Sequence, residues 1–443
     1  MKIGVILAGG KSTRFKSDIP KGLHKIDGKS VISRILECFN NAGINKVYIV
    51  VNDQSFIYYK KENFNVDYLF QTNLNGTGSA FYCFNGLFDK NDEIIVVNSD
   101  CFIFNKELLN EFYKGFMLSF YDVGIIVREE KEKYGYGRVL VEDQMIKIIE
   151  DKELGSLYRN IELINTGIYM FKGSFLSKYM KFLNNNYEEN KITCLLEKDR
   201  CYVYKCPSLV LCFNTKEEFV NVNRRYYLEV CNKLLNEGIK IVDKNSTYIS
   251  EDVVVGKDVE IYPNNYILGN TIISDMSVVL PNCYIEDSVI GEGCSIGPFS
   301  NIKKNSRIGN KSVVGAFVEV KNSQLDTSVK AKHHAYLGDV IIGSNTNVGC
   351  GVIVANYDGN KKHQSYIGNN SFIGSNVTIV SPVKIGDNVV VGAGSTIVRD
   401  VIDNSLAIAR EKQINKENYY KINKTVKNSR ASSHQKKRWF IYF

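Results

Sequence analysis

A glycine-rich turn close to the start of the chain carries residues that suit phosphate chemistry. Gly9 and Gly10 follow an apolar run, and Arg14 and Lys21 come shortly afterwards. Glycines let backbone amides approach phosphate oxygens, and cationic side chains neutralise the same oxygens. A Walker A loop would need glycine at Val5, and the dinucleotide pattern G-x-G-x-x-G is absent. The turn therefore indicates a phosphate site outside these two classes of loop.

Two adjacent histidines mark a second place where chemistry could occur. The chain has five histidines, of which only His333 and His334 are neighbours. A neutral imidazole accepts a proton near neutral pH, so either residue could act as a general base. Neighbours on a strand point to opposite faces, so at most one of the two should face a substrate. Residue type alone does not rank them.

The carboxyl-terminal half contains an internal repeat of six residues. Isoleucine or valine recurs at every sixth position, often followed by glycine, with turn-forming residues between. This period is typical of a parallel β-helix, in which each short strand buries its apolar side only against neighbouring coils. Residues 248–400 would form roughly eight coils of three edges each. The repeat positions are Ile249, Val255, Ile261, Ile267, Ile273, Val279, Ile285, Ile290, Ile296, Ile302, Ile308, Val314, Val320, Ile342, Val348, Val354, Ile367, Ile373, Ile379, Ile385, Val391 and Ile397.

The period is interrupted twice after Val320. The interval to Ile342 exceeds a whole coil by four residues, and the interval from Val354 to Ile367 is thirteen residues in place of twelve. Extra residues are expected to leave a coil as loops, and loops on a rigid scaffold often carry binding groups. His333 lies in the first interruption. We therefore predict a loop at each interruption, both of them near a functional site.

The first 215 residues alternate between short apolar runs and helical patterns, which predicts an α/β sheet with ligands at the carboxyl ends of its strands. Thr215 and Glu218 form the pattern of a capping box, which opens a helix bounded by Gly238. The expected organisation is a sheet domain at 1–215, a linker helix at 216–247, the repeat domain at 248–410 and a basic tail at 411–443. The predicted strands are residues 2–8, 46–51, 93–97, 123–127 and 168–171, and the predicted helices between them include residues 31–42 and 106–116.

Charge and cysteine usage exclude several classes of protein. Residues 411–443 carry nine lysines and arginines against two glutamates, which accounts for +7 of the net charge of +8. We expect no nucleic-acid or membrane partner, and a solvated tail or a contact with a neighbouring subunit. The eleven cysteines are scattered without a C-x-x-C pair, which indicates reduced thiols in the cytoplasm rather than disulfides or zinc. We predict neither a signal peptide nor a membrane span.

The glycine-rich turn belongs to a longer pattern that resembles sugar-1-phosphate nucleotidyltransferases. Leu-Ala-Gly-Gly-x-Ser-Thr-Arg-Phe at 7–15 is followed by Pro-Lys at 20–21, Asn-Gly-Thr-Gly at 75–78, Gly-Tyr-Gly-Arg at 135–138 and Ile-Asn-Thr-Gly at 164–167. With the repeat, the chain up to Arg410 is similar to the bifunctional bacterial UDP-N-acetylglucosamine pyrophosphorylase / glucosamine-1-phosphate acetyltransferase family. The resemblance implies a Rossmann-like α/β nucleotidyltransferase domain followed by a left-handed parallel β-helix of hexapeptide repeats.

The resemblance implies roles for residues of the amino-terminal half. Lys21 and Arg14 would neutralise the departing pyrophosphate, and Mg²⁺ would bind Asp100 and Asn223. The family usually has Tyr-Gly before the metal aspartate, whereas this chain has Asn98-Ser99, which leaves the sugar and nucleotide preference open. The residues implied to bind nucleotide or sugar are Leu7, Ala8, Gly9, Gly10, Gln71, Gly76, Thr77, Asn98, Gly137, Glu150, Asn165 and Asn223.

In the carboxyl-terminal half, alignment on the Tyr-Leu-Gly-Asp motif at 336–339 implies that His333 is the catalytic base and His334 is not. Lys303 replaces a family arginine, which loses bidentate geometry but keeps the charge, and Cys350 replaces an alanine. Glu319 also matches a family motif. The implied substrate-binding residues are Lys303, Lys321, Tyr336, Asn347, Asn356, Tyr357 and Lys362, and the implied acetyl-CoA residues are Cys350, Ser375, Ala393 and Arg410.

The resemblance implies two reactions. Acetyl-CoA would acetylate glucosamine 1-phosphate, and UTP with Mg²⁺ would then give UDP-N-acetylglucosamine and pyrophosphate from the acetylated product. A homotrimer is also implied. One alternative keeps both halves with another amino-sugar 1-phosphate or another NTP. A second alternative is a non-catalytic regulatory or scaffold protein, against which the joint presence of Lys21, Asp100, Asn223, His333 and Lys321 weighs.

Overall fold

The computed structural model describes residues 1–130, 136–150, 160–184, 190–207 and 209–420. Gly135 and most of the basic tail, residues 421–443, lie outside the described residues. The chain divides into two compact units. The first comprises Met1–Val253 and Ile267–Gly269, and the second comprises Val254–Tyr266 and the residues from Asn270 onward. Within the described ranges, no helix combines the length and the apolar character needed to cross a membrane.

The first unit is built on a nine-stranded sheet in the order β10-β9-β11-β6-β1-β4-β5, with β8 joining β11 to β12. Strands β6, β1, β4 and β5 are parallel, so their carboxyl ends meet at one edge of the sheet. The turns that leave this edge carry the predicted phosphate residues. The strands of the unit are β1 (Lys2–Leu7), β2 (Lys25–Ile26), β3 (Lys29–Ser30), β4 (Lys46–Val51), β5 (Asp67–Phe70), β6 (Glu93–Asn98), β7 (Cys101–Ile103), β8 (Val123–Glu129), β9 (Arg138–Glu142), β10 (Met145–Ile149), β11 (Leu163–Lys172), β12 (Cys201–Lys205), β13 (Val210–Cys212), β14 (Lys240–Ile241) and β15 (Tyr248–Ile249).

Helices cover this sheet and confirm the predicted alternation. The α-helices are α1 (Val31–Asn41), α2 (Asp53–Lys61), α3 (Thr77–Tyr82), α4 (Leu108–Leu118), α5 (Gly173–Tyr179) and α6 (Lys216–Asn236). Short 3₁₀ helices are formed by Thr13–Phe15, Lys21–Leu23, Met180–Leu183 and Ile192–Lys198. Helix α6 packs within the first unit, where Tyr226 is buried and its hydroxyl donates to Asp27 Oδ2 at 2.6 Å.

The second unit consists of very short parallel strands. They are β16 (Val254–Val255), β17 (Glu260–Ile261), β18 (Tyr266–Leu268, shared with the first unit), β19 (Ile272–Ile273), β20 (Val278–Val279), β21 (Tyr284–Glu286), β22 (Val289–Ile290), β23 (Ser295–Ile296), β24 (Asn301–Lys303), β25 (Arg307–Ile308), β26 (Val313–Lys321), β27 (Gln324–Leu325), β28 (Lys330–Gly338), β29 (Val340–Ile342), β30 (Asn347–Val348), β31 (Ile353–Ala355), β32 (Ser365–Ile367), β33 (Phe372–Ile373), β34 (Thr378–Val380), β35 (Lys384–Ile385), β36 (Val390–Val391), β37 (Thr396–Ile397) and β38 (Leu406–Ala407).

These strands stack into three parallel ladders, one for each face of a three-sided coil. One ladder is β16-β19-β22-β25-β27-β29-β32-β35, so the face it forms contains eight strands. The nine-residue strands β26 and β28 turn a corner and belong to both other ladders. Every repeat position predicted from the sequence is buried except Val255, which is half-buried. The hexapeptide period therefore reports the apolar core of the coils, as predicted.

The first interruption of the repeat is not a loop, so that prediction was wrong. Strand β28 runs through it without a break and pairs with β26, with His333 opposite Ala316. Leu325, Ala331 and Leu337 are buried and occupy the repeat positions of this stretch. The period contains two edges of five residues, and its core residues are leucine and alanine rather than isoleucine or valine. His333 therefore lies on a rigid strand.

The second interruption is a true loop and is larger than expected. Strands β31 and β32 belong to adjacent ladders, so the thirteen-residue step spans one edge rather than two. Residues 356–364 leave the coil as a hairpin, which we call the 356–364 hairpin. Its base is an antiparallel bridge between Tyr357 and Lys362, and its tip is held by Asp358, whose Oδ2 lies 2.6 Å from His363 Nε2.

Candidate active sites

A cavity of about 250 Å³ lies at the carboxyl edge of the sheet in the first unit. It brings together all the residues predicted to hold the nucleotide phosphates and base, except Arg14. The metal candidate Asp100 also lines it. The lining residues are Leu7, Ala8, Gly9, Gly10, Ser12, Pro20, Lys21, Tyr59, Gln71, Leu74, Gly76, Thr77, Ala80, Asn98, Ser99 and Asp100.

Gly9 lies against the side chain of Gln71, and a larger residue at this position would displace that side chain. A Cβ on Gly9 would lie 2.1 Å from Gln71 Oε1, whereas a Cβ on Gly10 would meet open space. Gln71 Nε2 donates to Gly76 O at 3.1 Å and to Ser79 Oγ at 2.8 Å. These bonds fix the amide plane of Gln71, so its orientation is set before any ligand enters.

The turn before α3 is held by a distant backbone segment. Gly76 has φ of +133°, and a Cβ there would lie 2.2 Å from Asn190 O. The Gly78 N–H donates to the same oxygen at 2.8 Å, and Thr77 Oγ1 accepts from Ile192 N at 3.1 Å. The glycines therefore allow two chain segments to meet at the wall of the cavity.

Lys21 and Asp100 form an ion pair inside the cavity. Lys21 Nζ lies 2.5 Å from Asp100 Oδ2, and both side chains are mostly buried, with 15% and 19% exposed. Lys21 Nζ also lies 3.4 Å from Asn214 Oδ1, which accepts from Arg14 at 3.0 Å. The two predicted phosphate-neutralising cations thus share one amide oxygen next to the metal candidate.

The three residues predicted to bind the sugar come together on the antiparallel side of the sheet. A Cβ on Gly137 would lie 3.5 Å from Glu150 Oε2 and 3.8 Å from Asn165 Cβ. The Asn165 N–H donates to Gly137 O at 2.9 Å, and Asn165 Nδ2 donates to the buried Tyr169 hydroxyl at 2.9 Å. Glu150 also lies 3.9 Å from Lys191 Nζ.

In the second unit, the strand register places the predicted base and the predicted acetyl-CoA residues in one column. His333, Cys350, Ser375 and Ala393 occupy equivalent positions on successive coils, each two residues after a paired core residue. The pairs that set this register are Ala331–Val348, Val348–Ile373 and Ile373–Val391. Strands in one ladder are about 4.8 Å apart, so neighbours in the column are within reach of one ligand.

The column is exposed along its whole length, and Arg410 lies at its far end. The side chains of Cys350, Ser375 and Ala393 all lie on the surface. Arg410 Cδ lies 4.0 Å from the place where a Cβ on Gly394, the residue after Ala393, would be. The sequence-predicted acetyl-CoA residues therefore follow one line along the coils.

The two adjacent histidines differ in their surroundings. Both are exposed, and His334 has a positive φ of 45°. The His334 ring packs 5.7 Å from Phe317, which stacks in turn on Phe299 at 5.1 Å. Within the described residues, no hydrogen bond or ion pair engages the His333 ring. His334 is thus held by packing, whereas His333 is available to a ligand.

Four lysines of the second unit lie near one another, and two of them, Lys303 and Lys321, are the last residues of β24 and β26. Lys362 and Lys304, with some desolvation and a further contribution from Lys303, lower the pKa of Lys321 by like-charge repulsion, and Glu319 opposes the shift. Lys303 Nζ lies 3.2 Å from Glu319 Oε1. We call Lys303, Lys304, Lys321 and Lys362 the lysine cluster. The cluster concentrates positive charge, which attracts multiply charged anions.

Asp339 links the turn after β26 to the 356–364 hairpin. This buried carboxylate accepts hydrogen bonds from the side-chain amides of Asn322, at 2.5 Å, and Asn356. Gly338 leaves room there, because a Cβ would lie 2.6 Å from the Tyr336 hydroxyl and 2.7 Å from Asn356 Nδ2. Tyr336 and Asn356, both predicted, are therefore neighbours.

Asn347 is placed differently from the other predicted substrate residues. It lies on β30 opposite Lys330 and Phe372. Among the described residues, no hydrogen bond or ion pair joins it to the lysine cluster.

Comparisons with known proteins agree with this two-unit arrangement. Residues 3–199 match the family described as "Nucleotidyl transferase", and residues 287–322 and 364–399 match "Bacterial transferase hexapeptide (six repeats)". The chain is 34% identical to the bifunctional protein GlmU of Clostridium botulinum, over 94% of this chain and 97% of that protein. It is 36% identical to the bifunctional protein GlmU of Thermosipho melanesiensis and 33% identical to that of Clostridioides difficile, each over 94% of this chain and 96% of the relative.

The chain belongs to the GlmU family. It is therefore a bifunctional transferase, with a nucleotidyltransferase in its amino-terminal half and a hexapeptide N-acetyltransferase in its carboxyl-terminal half. The GlmU fold class also matches the prediction of a Rossmann-like domain followed by a left-handed β-helix.

One residue of this GlmU family member was missed in the sequence. Asn214 Oδ1 lies 3.4 Å from Lys21 Nζ, which is itself 2.5 Å from Asp100. The predicted metal partner Asn223 lies on α6, half-buried, and in the described part of the chain no hydrogen bond links it to this group. The sequence feature that could have identified Asn214 is its position directly before Thr215, the cap of helix α6.

The start of α6 fixes the backbone of Asn214. Thr215 Oγ1 accepts from Glu218 N at 3.2 Å, as the capping pattern predicted. The Glu218 carboxylate, however, accepts from Asn214 N at 2.6 Å instead of from the Thr215 N–H. The reciprocal half of the predicted capping box is therefore displaced by one residue, toward the cavity.

Proposed function

We propose that the first unit transfers a uridylyl group from UTP to N-acetylglucosamine 1-phosphate, releasing pyrophosphate. The second unit supplies that substrate by acetylating glucosamine 1-phosphate with acetyl-CoA. The observation that carries the proposal is the cavity in which the glycine turn, Gln71 and the Lys21–Asp100 pair meet. The column from His333 to Ala393 and the lysine cluster support the second reaction.

The donor atoms at the first site fit Mg²⁺. Asp100 supplies a carboxylate. The amide oxygen of Asn214 lies 3.4 Å from Lys21 Nζ, which itself lies 2.5 Å from the Asp100 carboxylate. Hard oxygen donors and substrate phosphates are the ligands that Mg²⁺ prefers. When bound, the ion would neutralise charge on the nucleotide phosphates. We propose Asp100 with Asn214 as its protein ligands, and retain Asn223 as the partner that the family resemblance implied.

The residues of the first site act by positioning and by charge. Lys21 is held against Asp100 in the present structure, so a cation bound to Asp100 would release Lys21 toward the phosphates. Gly9 and Gly10 line the cavity, and backbone N–H groups of such a glycine turn suit phosphate oxygens. The sugar phosphate oxygen is already an anion, so attack on the α-phosphorus needs no protein base. Gly137, Glu150 and Asn165 would orient the sugar.

The residues of the second site combine a base with an anion site. A neutral His333 would take the proton of the sugar amine as the amine attacks the thioester carbonyl. The lysine cluster would hold the sugar phosphate, and Tyr336 and Asn356 lie beside it. The thioester end of acetyl-CoA would lie at His333 and the remainder along Cys350, Ser375, Ala393 and Arg410.

The proposal includes a homotrimeric assembly and a cytoplasmic location. A homotrimer would bring Arg410 or the basic tail to the acetylation site of a neighbouring subunit. The family resemblance implies small-molecule substrates, the scattered cysteines favour a cytoplasmic location, and the confinement of the positive charge to the tail argues against nucleic-acid and membrane partners. Sedimentation tests the assembly: a monomer that acetylates at full rate would refute it.

A second candidate keeps the architecture but changes the sugar or the nucleotide. Asn98 lines the cavity where the family usually has tyrosine, and its Oδ1 is buried without a hydrogen-bond partner among the described residues. Lys303 replaces an arginine and is paired with Glu319. Both observations favour altered recognition more than altered chemistry. A non-catalytic scaffold lacks such support.

One assay separates these candidates. The purified chain is incubated with each amino-sugar 1-phosphate and acetyl-CoA, and each N-acetylated product is then offered with each NTP and Mg²⁺. The proposal expects the highest kcat/KM for glucosamine 1-phosphate and UTP. A higher value for another sugar or nucleotide establishes the second candidate, and no turnover with any combination supports the scaffold.

A further inference from the structure

Two cysteines face each other directly beside the proposed metal site. Cys101 follows Asp100, Cys212 precedes Asn214 by two positions, and the two cysteines are paired in the small sheet of β7 and β13. Their Sγ atoms lie 3.3 Å apart. The Cys101 and Cys212 thiols both donate to the Thr166 carbonyl oxygen, at 2.8 and 3.2 Å.

The backbone of this pair has the geometry that a disulfide needs. The Cys212 carbonyl accepts from the Tyr136 hydroxyl at 3.0 Å, and the Cys212 N–H donates to that hydroxyl at 3.3 Å. Both groups thus point away from Cys101, so this is a non-hydrogen-bonded pair. Such pairs have Cα atoms about 4.5 Å apart, inside the range of about 4.4–6.8 Å found for disulfides.

The pair therefore starts from a Cα separation that already permits a disulfide. The sulfurs have to approach from 3.3 Å to a bond length of about 2.0 Å. Cys101 is fully buried and Cys212 is half-buried, so an oxidant reaches Cys212 first.

We propose that Cys101 and Cys212 form a reversible disulfide that switches off the nucleotidyl transfer proposed above for the first unit. The oxidant is hydrogen peroxide. Cys212 sulfur attacks one peroxide oxygen, the O–O bond breaks, and a sulfenic acid and water form. Cys101 sulfur then attacks the Cys212 sulfur, the S–S bond forms and a second water leaves. The two thiols lose two electrons and two protons, and the peroxide is reduced to two waters.

The disulfide acts on catalysis through the residues on either side of it. Asp100 and Asn214 lie one and two positions from the two sulfurs, and both lie close to Lys21 Nζ. Bond formation also ends the hydrogen bonds to Thr166, which lies between the sugar residue Asn165 and Gly167. A misplacement of about 1 Å near reacting groups costs about 100-fold in rate, and we expect a loss of that size.

The test uses the full chain treated with hydrogen peroxide and then with a thiol reductant. Peptide mapping without reduction identifies the linked cysteines, nucleotidyl and acetyl transfer are assayed in parallel, and Mn²⁺ binding is measured by calorimetry. The variants are Cys212→Ser and, as the matched control, Cys83→Ser. Cys83 is a half-buried thiol of the same unit, and its sulfur donates to the backbone oxygens of Phe70 and Ser79.

We expect a Cys101–Cys212 peptide, weakened Mn²⁺ binding and a loss of about 100-fold in nucleotidyl transfer, all reversed by reductant, in the wild type and in Cys83→Ser. Peroxide should leave the rate of acetyl transfer unchanged. It should also leave the rate of nucleotidyl transfer unchanged in Cys212→Ser. The inference is overturned if no linked peptide forms, if the loss persists in Cys212→Ser, or if a chelator restores activity. The last result would mean a thiophilic cation on Asp100, Cys101 and Cys212, whose ligand atoms lie within 4.8 Å of one another.

Mapping and Mn²⁺ binding do not depend on knowing the substrate. If the reduced chain transfers no nucleotide at all, the proposed function fails, whereas a reversible linked peptide with weakened Mn²⁺ binding still supports the disulfide. If transfer is active and the linked peptide leaves the rate unchanged, the switch fails and the proposed function stands.

Discussion

Lys21 Nζ lies 2.5 Å from Asp100 Oδ2, although 79 positions separate the two residues in the chain. Lys21 comes from the segment that follows β1, and Asp100 comes from the turn that follows β6. The parallel pairing of β1 with β6, with Leu7 opposite Asn98, brings the two segments to one edge. A cation site and its competing ammonium group therefore come from the same strand pair.

Exchange of Asp100 for asparagine should separate the two activities. Losing the carboxylate removes the main metal ligand, so nucleotidyl transfer should fall by about 100-fold or more while acetyl transfer persists. Pyrophosphate release and coenzyme A release measure the two reactions in the same sample. His333→Ala serves as the reciprocal control. Loss of both activities in one folded variant would show that the sites are not independent.

Gly9 and Gly10 provide a matched steric comparison in the same turn. A Cβ at Gly9 would collide with Gln71 Oε1 at 2.1 Å, whereas a Cβ at Gly10 would meet open space. We expect Gly9→Ala to raise KM for the nucleotide at least about tenfold, because Gln71 has to leave its hydrogen bonds, and Gly10→Ala to have a much smaller effect. Equal effects of the two substitutions would contradict a role for the Gly9–Gln71 contact.

His333 and His334 can be ranked by substitution. General-base catalysis is typically worth about 10²- to 10⁴-fold, so His333→Ala should lower acetyl transfer by that factor with little change in acetyl-CoA affinity. His334 packs on Phe317, so His334→Ala should cost less than about tenfold, through packing alone. The pH dependence of acetyl transfer decides the matter. A wild-type pH profile in His333→Ala would remove His333 as the base.

The lysine cluster predicts a pH dependence of substrate binding. Lys362 contributes most to the lowered pKa of Lys321, so in the free enzyme Lys321 loses its charge at a lower pH than an ordinary lysine. Affinity for a sugar phosphate should be full below that pKa and should fall as pH rises through it. In Lys362→Met the pKa of Lys321 should rise, so the fall should start at higher pH.

KM for the amino-sugar phosphate, measured between about pH 7 and 10.5, tests this expectation. Lys361→Met is the matched control, because Lys361 lies in the same 356–364 hairpin and is not among the charges that shift Lys321. A fall that starts at the same pH in Lys362→Met and in the wild type would contradict the electrostatic account.

The sequence predicted the fold class of both units because each fold class produces a pattern that repeats over a few residues. The apolar period of the coils and the alternation of strands with helices depend on neighbours in the chain. The loop predicted around His333 was wrong because Leu325, Ala331 and Leu337 fill core positions that the isoleucine and valine count left empty. The core positions of this stretch are apolar but not β-branched, and two of its edges are one residue shorter than six.

The composition of the metal site depends on a contact that the sequence did not show. Asn214 reaches Lys21 because Glu218 binds its backbone and because α6 packs within the first unit. Asn223 carries the same amide but lies further along the helix. Motif spacing could indicate that an asparagine binds the metal. The choice between Asn214 and Asn223, however, depends on the long-range packing of α6.

The column in the second unit turns sequence distance into a fixed length. From His333 to Ala393 there are three coil steps, which is about 14 Å at roughly 4.8 Å per coil. The length of the acetyl-CoA site along the stack is therefore set in steps of one whole coil. A coil inserted between Cys350 and Ser375 would preserve the hydrophobic core and every local turn. It would nevertheless lengthen the column by about 4.8 Å, so the two ends of the cosubstrate site would no longer match the length of the cosubstrate.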